Sequence, residues 1–213
     1  AGIIGILDDR YKLGKKEKLT LLAIPAVPAL LVSKTYLELP FFKLELGIVY
    51  FIIIIFSFII FLNLSNMLEG FNGLAVGNGV IIFFTLALIS HKNQIAFKIS
   101  AIALFSWFAL LLYNRYPARA FPGDVGTVTI GAITLTVLLV IKKELLSLIL
   151  FFPHIIDAFL KYRSRGIFSR DEEKPTIIGE DGKLKPPEKS FNSLIRTILR
   201  WKRLREYEVV LII

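Results

Sequence analysis

Residues 44–63 read LELGIVYFIIIIFSFIIFLN, with Glu45 as the one charged residue. A run of about 20 such residues is what a helix needs to cross the hydrocarbon of a bilayer. Within it, backbone N–H and C=O groups have no water to bond, so the run must pair its own backbone as a helix. The pattern recurs along the chain. Helices are expected at about 19–33, 44–63, 73–90, 95–113, 127–141, 144–160 and 191–213. Of the 213 residues 55% are hydrophobic, and the mean hydropathy of +0.66 lies well above that of a soluble domain. The fold class is therefore all-α: a polytopic integral membrane helical bundle, with residues 1–213 as a single membrane domain. Pro25 and Pro28 interrupt the first expected helix, and Pro153, His154 and Asp157 interrupt the sixth. The first half of the last is basic and amphipathic, which suits a position along the membrane interface. The opening AGIIGILDDR has no Met and reads as the end of an earlier helix, while the closing EYEVVLII reads as a helix just begun. A fragment lacking N-terminal spans and most of a last span is expected.

Successive crossings place residues 8–18, 64–72, 114–126 and 161–190 on one side. These four loops hold fifteen Lys and Arg, against six in the opposite loops. By the positive-inside rule the four loops are cytoplasmic. The net charge of +9 is then explained by topology, and no nucleic-acid partner is expected. The chain has no Cys, which excludes disulfide and thiol chemistry.

The same four loops carry the unusual polar residues. Asp8 and Asp9 end the first apolar run; adjacent carboxylates repel and want a cation or a basic neighbour. The stretch LSNMLEGFNGLAVG, residues 64–77, holds Asn66, Glu69, Asn72 and Gly73, more amide groups than a turn requires. Amides offer paired donors and acceptors, suited to a base edge or a metal, and equally to capping helix ends. Asp124 stands in AFPGDVGT, where a loop turns into an apolar helix. Alone it reads as a cap; beside Asp8, Asp9 and Asn66 on one face it completes a set of hard oxygen donors of the kind Mg²⁺ takes. Phe121 could stack on a flat ring or simply pack. Arg163 and Arg165, two apart in the fourth loop, could fork onto phosphates or touch anionic lipid. The opposite loops are short and ordinary.

Four motifs together, GILDDRYKL, NLSNMLEGFNGLAVG, WFALLLYNRYPARAFPGDVGTVTIGA and the loop after residue 160, resemble those of the polyprenyl-phosphate N-acetylhexosamine-1-phosphate transferase superfamily. Its branches include the MraY-like bacterial translocases and the archaeal and eukaryotic UDP-GlcNAc:dolichyl-phosphate GlcNAc-1-phosphate transferases. The MraY branch carries histidines in the fourth loop, and this chain has none between 155 and 213. YRSRG followed by EDGKL, with Asn72 in the second motif, is similar instead to the dolichyl branch. The resemblance implies a glycosyl-1-phosphate transferase of the plasma membrane of an archaeon or bacterium. It would move GlcNAc-1-phosphate from UDP-GlcNAc to a polyprenyl (dolichyl) phosphate on the cytoplasmic face and release UMP. That is the first step of lipid-linked glycan synthesis, serving protein glycosylation or cell-envelope assembly. It further implies that Asn66 and Asp124 bind Mg²⁺, or Mn²⁺ in its place. Asn72, Gly73 and Phe121 would hold the nucleotide, Arg163 and Arg165 the diphosphate, and Asp8 and Asp9 would act on the lipid phosphate. A homodimer is compatible with the family. An MraY-like transferase of phospho-MurNAc-pentapeptide is the alternative within the superfamily.

A transporter is the rival class. It would carry ionisable groups inside its spans or show an internal repeat. Here Glu45, Lys98 and Asp157 lie near span ends and no repeat is visible.

Overall fold

The computed structural model describes residues 1–31, 33–39, 41–68, 70–165, 176–187 and 190–213, with every side chain among them but those of Lys15 and Arg165. In chain order the helices and strands are α1 (Gly2–Tyr11), α2 (Lys15–Leu21), α3 (Ala26–Leu30), β1 (Tyr36–Glu38), β2 (Lys43–Glu45), α4 (Ile48–Met67), α5 (Leu74–Ile89) and α6 (Gln94–Asn114). They continue as α7 (Gly123–Val140), α8 (Leu146–Leu150), α9 (Phe152–Arg165), β3 (Ile177–Ile178), β4 (Leu184–Lys185), α10 (Leu194–Trp201) and α11 (Glu206–Ile212). The chain is a helical bundle, and two antiparallel hairpins, β1–β2 and β3–β4, are its strands among the described residues.

Three of these helices, α4, α6 and α7, are long and apolar enough to cross a membrane; α5 is apolar and shorter. Helix α5 packs along α6, and α7 packs against α4 on one side and α1 on another. The core between them is built from Phe58, Leu62, Phe83, Leu86, Ile130 and Leu138. Phe61 meets Phe151 edge to face at 5.1 Å, fixing α4 to the start of α9. Gly5 lets α1 come close to α7: a Cβ there would lie 2.4 Å from Val125 Cα. Only hydrogen fits at such a contact. On the outside, α6 leaves Ile102, Phe105, Phe108 and Leu112 exposed. Such a face is at home in lipid and not in water.

Several bounds differ from those read along the sequence. The expected helix 19–33 is two short pieces, α2 and α3. Around Pro25, which has no N–H to give, the chain tightens to i→i−3 bonds, Ile24 N–H to Leu21 O and Val27 N–H to Ile24 O. The expected 144–160 is likewise split at Phe151 into α8 and α9, one residue before Phe152-Pro153. The run expected at 44–63 starts later, because Lys43–Glu45 pair with Tyr36–Glu38. It also ends later, at Met67, so that Asn66 sits in the last helical turn and not in a loop. Asp124 is similarly the second residue of α7.

The expected helix 191–213 is two helices with an extended link. Leu204 is buried in that link, and its carbonyl accepts the Leu184 N–H of the β3–β4 hairpin at 2.8 Å, which holds the link extended. The apolar face of α10 is turned into the protein. Leu199, Ile195 and Ile198 pack with Leu184, Leu204, Val209 and Phe71 in a small second core. Hairpin β3–β4, α10 and α11 thus form a cap seated on Phe71, beside the loop that carries Asn72.

Candidate active site

One end of the bundle gathers the polar residues. Helix α1 delivers Asp8 and Asp9 on its last turns, α2 delivers Lys18, and α7 delivers Asp124 on its first. The Lys18 ammonium lies between two carboxylates, paired with Asp8 Oδ2 and, at 2.7 Å, with Asp124 Oδ2. The Leu13 N–H donates to the other Asp8 oxygen at 3.0 Å. Helix α7 has no cap of its own: Pro122 precedes it and contributes no side-chain bond. Asp9 supplies one from outside, its Oδ1 accepting the Asp124 N–H at 3.1 Å. A helix start leaves such N–H groups unpaired, and a carboxylate also suits the positive end of its dipole. Gly123 makes the approach possible. Its φ is +58°, and a Cβ there would fall 2.7 Å from Asp9 Oδ2.

The electrostatics follow from this packing. Burial opposes ionisation of Asp8, but hydrogen bonds from the Asp124 carboxyl and the Lys18 ammonium, with the charge of the latter, outweigh it and hold the carboxyl below its ordinary value. Burial also opposes the charge on Lys18, and Asp124 and Asp8 together overcome it and raise the ammonium above its ordinary value.

Asn66 reaches the site from α4. Its Oδ1 accepts the buried Thr127 hydroxyl at 2.8 Å, one turn into α7 from Asp124. Asn72 and Gly73 lie in the turn between α4 and α5, where Asn114 organises them. Asn114 is 3% exposed. Its Oδ1 accepts the Gly73 N–H at 3.0 Å, and its Nδ2 donates to Ala120 O at 2.8 Å. One buried amide therefore ties the Asn72–Gly73 turn to the residue before Phe121. The Phe121 ring is 68% exposed, beyond what core packing would leave. Lys161 closes the arrangement from α9, pairing with Asp157 at 2.8 Å and donating to Met67 O, beside Asn66, at 2.6 Å.

Of the residues singled out in the sequence, Asp8, Asp9, Asp124 and Asn66 converge through these bonds, and Asn72, Gly73 and Phe121 are linked through Asn114. Arg163 is exposed on the last turn of α9. The Arg165 side chain and Glu69 lie outside the described residues. The EDGKL segment is the turn of hairpin β3–β4, with Gly182 at φ +71° and Leu184 anchored in the second core. His154 and Asp157 do not pair. Among the described residues both His154 nitrogens are without a hydrogen-bond partner beside the Phe151 ring, while Asp157 accepts the Leu194 N–H at 2.8 Å. Lys18, Asn114 and Thr127 were not singled out, because nothing in their spacing from Asp8, Gly73 or Asn66 marks them.

Among the described residues no group of three or more His, Asp or Glu side chains is disposed to hold a metal unaided. The donor set nonetheless suits a hard divalent ion, which takes one or two carboxylates and leaves the rest of its shell to water and phosphate. Two carboxylates converging on one ammonium mark where a cation is favoured, and Asn66 adds an amide oxygen nearby.

Residues 1–142 match the model of glycosyl transferase family 4, and the chain belongs to that family. A provisionally named glycosyltransferase of Methanocaldococcus jannaschii is 42% identical over all of this chain and 69% of its own length. A protein of Saccharolobus solfataricus, provisionally named UDP-N-acetylglucosamine–dolichyl-phosphate N-acetylglucosaminephosphotransferase, is 34% identical over 99% of this chain. The phospho-N-acetylmuramoyl-pentapeptide-transferase of Bacillus thuringiensis is 31% identical over 70% of it. The chain spans 66% of the length of the Saccharolobus protein and 51% of the Bacillus one.

Proposed function

We propose that the protein transfers GlcNAc-1-phosphate from UDP-GlcNAc to a polyprenyl phosphate of the dolichyl type, at the cytoplasmic face of the membrane, with release of UMP. The observation that carries this reading is the meeting of Asp8, Asp9, Lys18 and Asp124 at one end of a membrane bundle. A greasy acceptor and a water-soluble donor require a site at that boundary. An oxygen of the lipid phosphate attacks the β-phosphorus of the donor, the bond from that phosphorus to the bridging oxygen breaks, and UMP leaves with the electron pair. The product is GlcNAc joined to the lipid through a diphosphate.

Charge placement is the main work of phosphoryl transfer. Asp124 and Asn66 would hold Mg²⁺, or Mn²⁺, which supplies neutralisation of the diphosphate when bound. Lys18 adds a fixed positive charge at the same place. Asp9, exposed and next to the start of α7, would orient the acceptor phosphate or accept its proton, with Asp8 beside it. Asn72, Gly73 and Phe121 would receive the uridine, the ring by stacking and the amide by hydrogen bonds. Arg163 and Arg165 would grip the diphosphate with forked donors.

The dolichyl-type reading is preferred to the muramoyl-pentapeptide one because the chain has no histidine between 155 and 213, where that branch carries them, and His154 is buried in α9. The test is a choice of donor. Membranes holding the protein are given polyprenyl phosphate with labelled UDP-GlcNAc or labelled UDP-MurNAc-pentapeptide. Label entering the lipid phase from UDP-GlcNAc supports the proposal; label entering from the pentapeptide donor alone overturns it.

A further inference from the structure

The Asn72–Gly73 turn is pinned from two sides. Its second N–H, on Gly73, is taken by Asn114. Its first, on Asn72, is taken by Glu206 Oε1 at 2.6 Å, across 134 residues of sequence. Glu206 opens α11 and has an ordinary alternative. An acid in a first helical turn normally serves its own helix start. Glu208 does so two residues later, its Oε2 accepting the Arg205 N–H at 2.7 Å. Glu206 instead leaves its helix for the turn. It is half-buried, so the bond is charge-assisted and only partly screened. The same turn is gripped by packing: Phe71, next to Asn72, enters the second core with Val209 of α11. Among the described residues the Asn72 side-chain amide has no hydrogen-bond partner, so its backbone is fixed while its donors and acceptor stay free for a ligand.

We infer that Glu206 is a positioning residue for donor binding: through the Asn72 N–H it sets the turn that presents Asn72 to the uridine. This rests on the reading above, in which Asn72 and Phe121 receive the nucleoside. A continuous chain of contacts then joins the cap to both, from Glu206 to Asn72, from Gly73 to Asn114, and from Asn114 to Ala120 beside Phe121. Binding the nucleoside against a turn already held in place avoids the cost of ordering it.

The test uses the full chain in membranes, with initial rates measured against UDP-GlcNAc and against polyprenyl phosphate. Glu206→Ala is expected to raise the donor KM about tenfold, the scale of one lost bond to a charged group. The kcat at saturating donor and the KM for the lipid should stay within about twofold. Glu206→Gln keeps the accepting oxygen and should restore the donor KM to within about threefold. Glu208→Ala removes a cap from the same helix and should leave the donor KM nearly unchanged. Equal losses of kcat in all three variants, or an unaltered donor KM in Glu206→Ala, would overturn the inference while wild-type transfer stands. A wild type that transfers nothing from UDP-GlcNAc would overturn the functional reading itself, and this inference with it.

Discussion

The two ends of the bundle both bury a carboxylate, and they do so differently. At one end the Tyr50 hydroxyl donates to Glu144 Oε1 at 2.6 Å, joining the first turn of α4 to the turn that follows α7. Tyr50 is 2% exposed, and the pair is a neutral donor against one acid. At the other end Lys18 stands between Asp8 and Asp124, and Asp9 adds a third acid. There Asp9 is open to solvent, Phe121 projects outward and Asp124 is only half-buried. The first arrangement is a joint: one Glu144 oxygen takes the Tyr50 hydroxyl, and the other is enclosed with no partner among the described residues, out of reach of a solute. The second holds more acid than base, partly open, on helix ends from separate parts of the chain. Excess charge kept near a water boundary costs stability without improving packing, and such groups concentrate where chemistry is done.

If this contrast is right, substitutions at the two ends separate activity from stability. Asp124→Asn keeps the size of the side chain and removes its charge. Transfer should fall at least about a hundredfold, the scale for losing a group that handles transition-state charge, while the protein still purifies as a folded species. Near-normal turnover would break the contrast at once. Lys18→Met should cost about 2 kcal/mol of stability, since Asp8 and Asp124 lose the charged partner they share. It should also slow transfer, seen as a lower thermal midpoint in detergent together with a reduced rate.

A pH scan sharpens the same point. The Asp8 carboxyl is held below its ordinary 3.8. Its contribution is present above that value and is lost as pH falls through the lower value of the folded state. Lys18 is held above its ordinary 10.5. Its contribution is present below that value and is lost as pH rises through the folded value. The thermal midpoint should therefore vary little between these limits and drop in acid. Lys18→Met should lessen the acid drop, because the unpaired Asp8 no longer gains from ionising.

The smallest effect belongs to the far end. Tyr50→Phe should cost about 1–2 kcal/mol for the bond lost by a buried acid, with transfer rates, corrected for folded protein, within twofold of wild type. A large loss of turnover there would mean that the two ends are not separate in function.

How far the sequence could be read follows the physics of each signal. Apolar runs mark helices without reference to anything distant, so the bundle and its long helices at α4, α6 and α7 were legible. The gathering of acids and amides in alternate loops was legible for the same reason, since crossings alternate sides. Helix ends were less so. Ser65 and Asn66 look like loop residues, yet α4 continues through them, with Ser65 bonding back to Leu62 O and Asn66 bonding to Thr127. The prolines announced breaks at α2–α3 and α8–α9 without fixing what the broken ends pack on. Pairings across long separations left no local trace. Lys18 counted only as one more positive loop charge, and nothing local marked Asn114 or Glu206 as partners of the Asn72–Gly73 turn. The amphipathic pattern of α10 was visible, but the occupant of its apolar face, the hairpin at 177–185, was not.

The central claim, that sugar and phosphorus are handed together to the lipid at the Asp8–Lys18–Asp124 end, is tested most directly by following the phosphorus. Membranes holding wild type or Asp124→Asn are given polyprenyl phosphate and UDP-GlcNAc labelled at the β-phosphorus, with Mg²⁺ or with chelator. The account predicts that the label enters the lipid phase with wild type and metal, with UMP left in water, and that chelator or Asp124→Asn stops it. Label that stays in water as UDP while sugar reaches the lipid, or label transfer that survives Asp124→Asn, would contradict it.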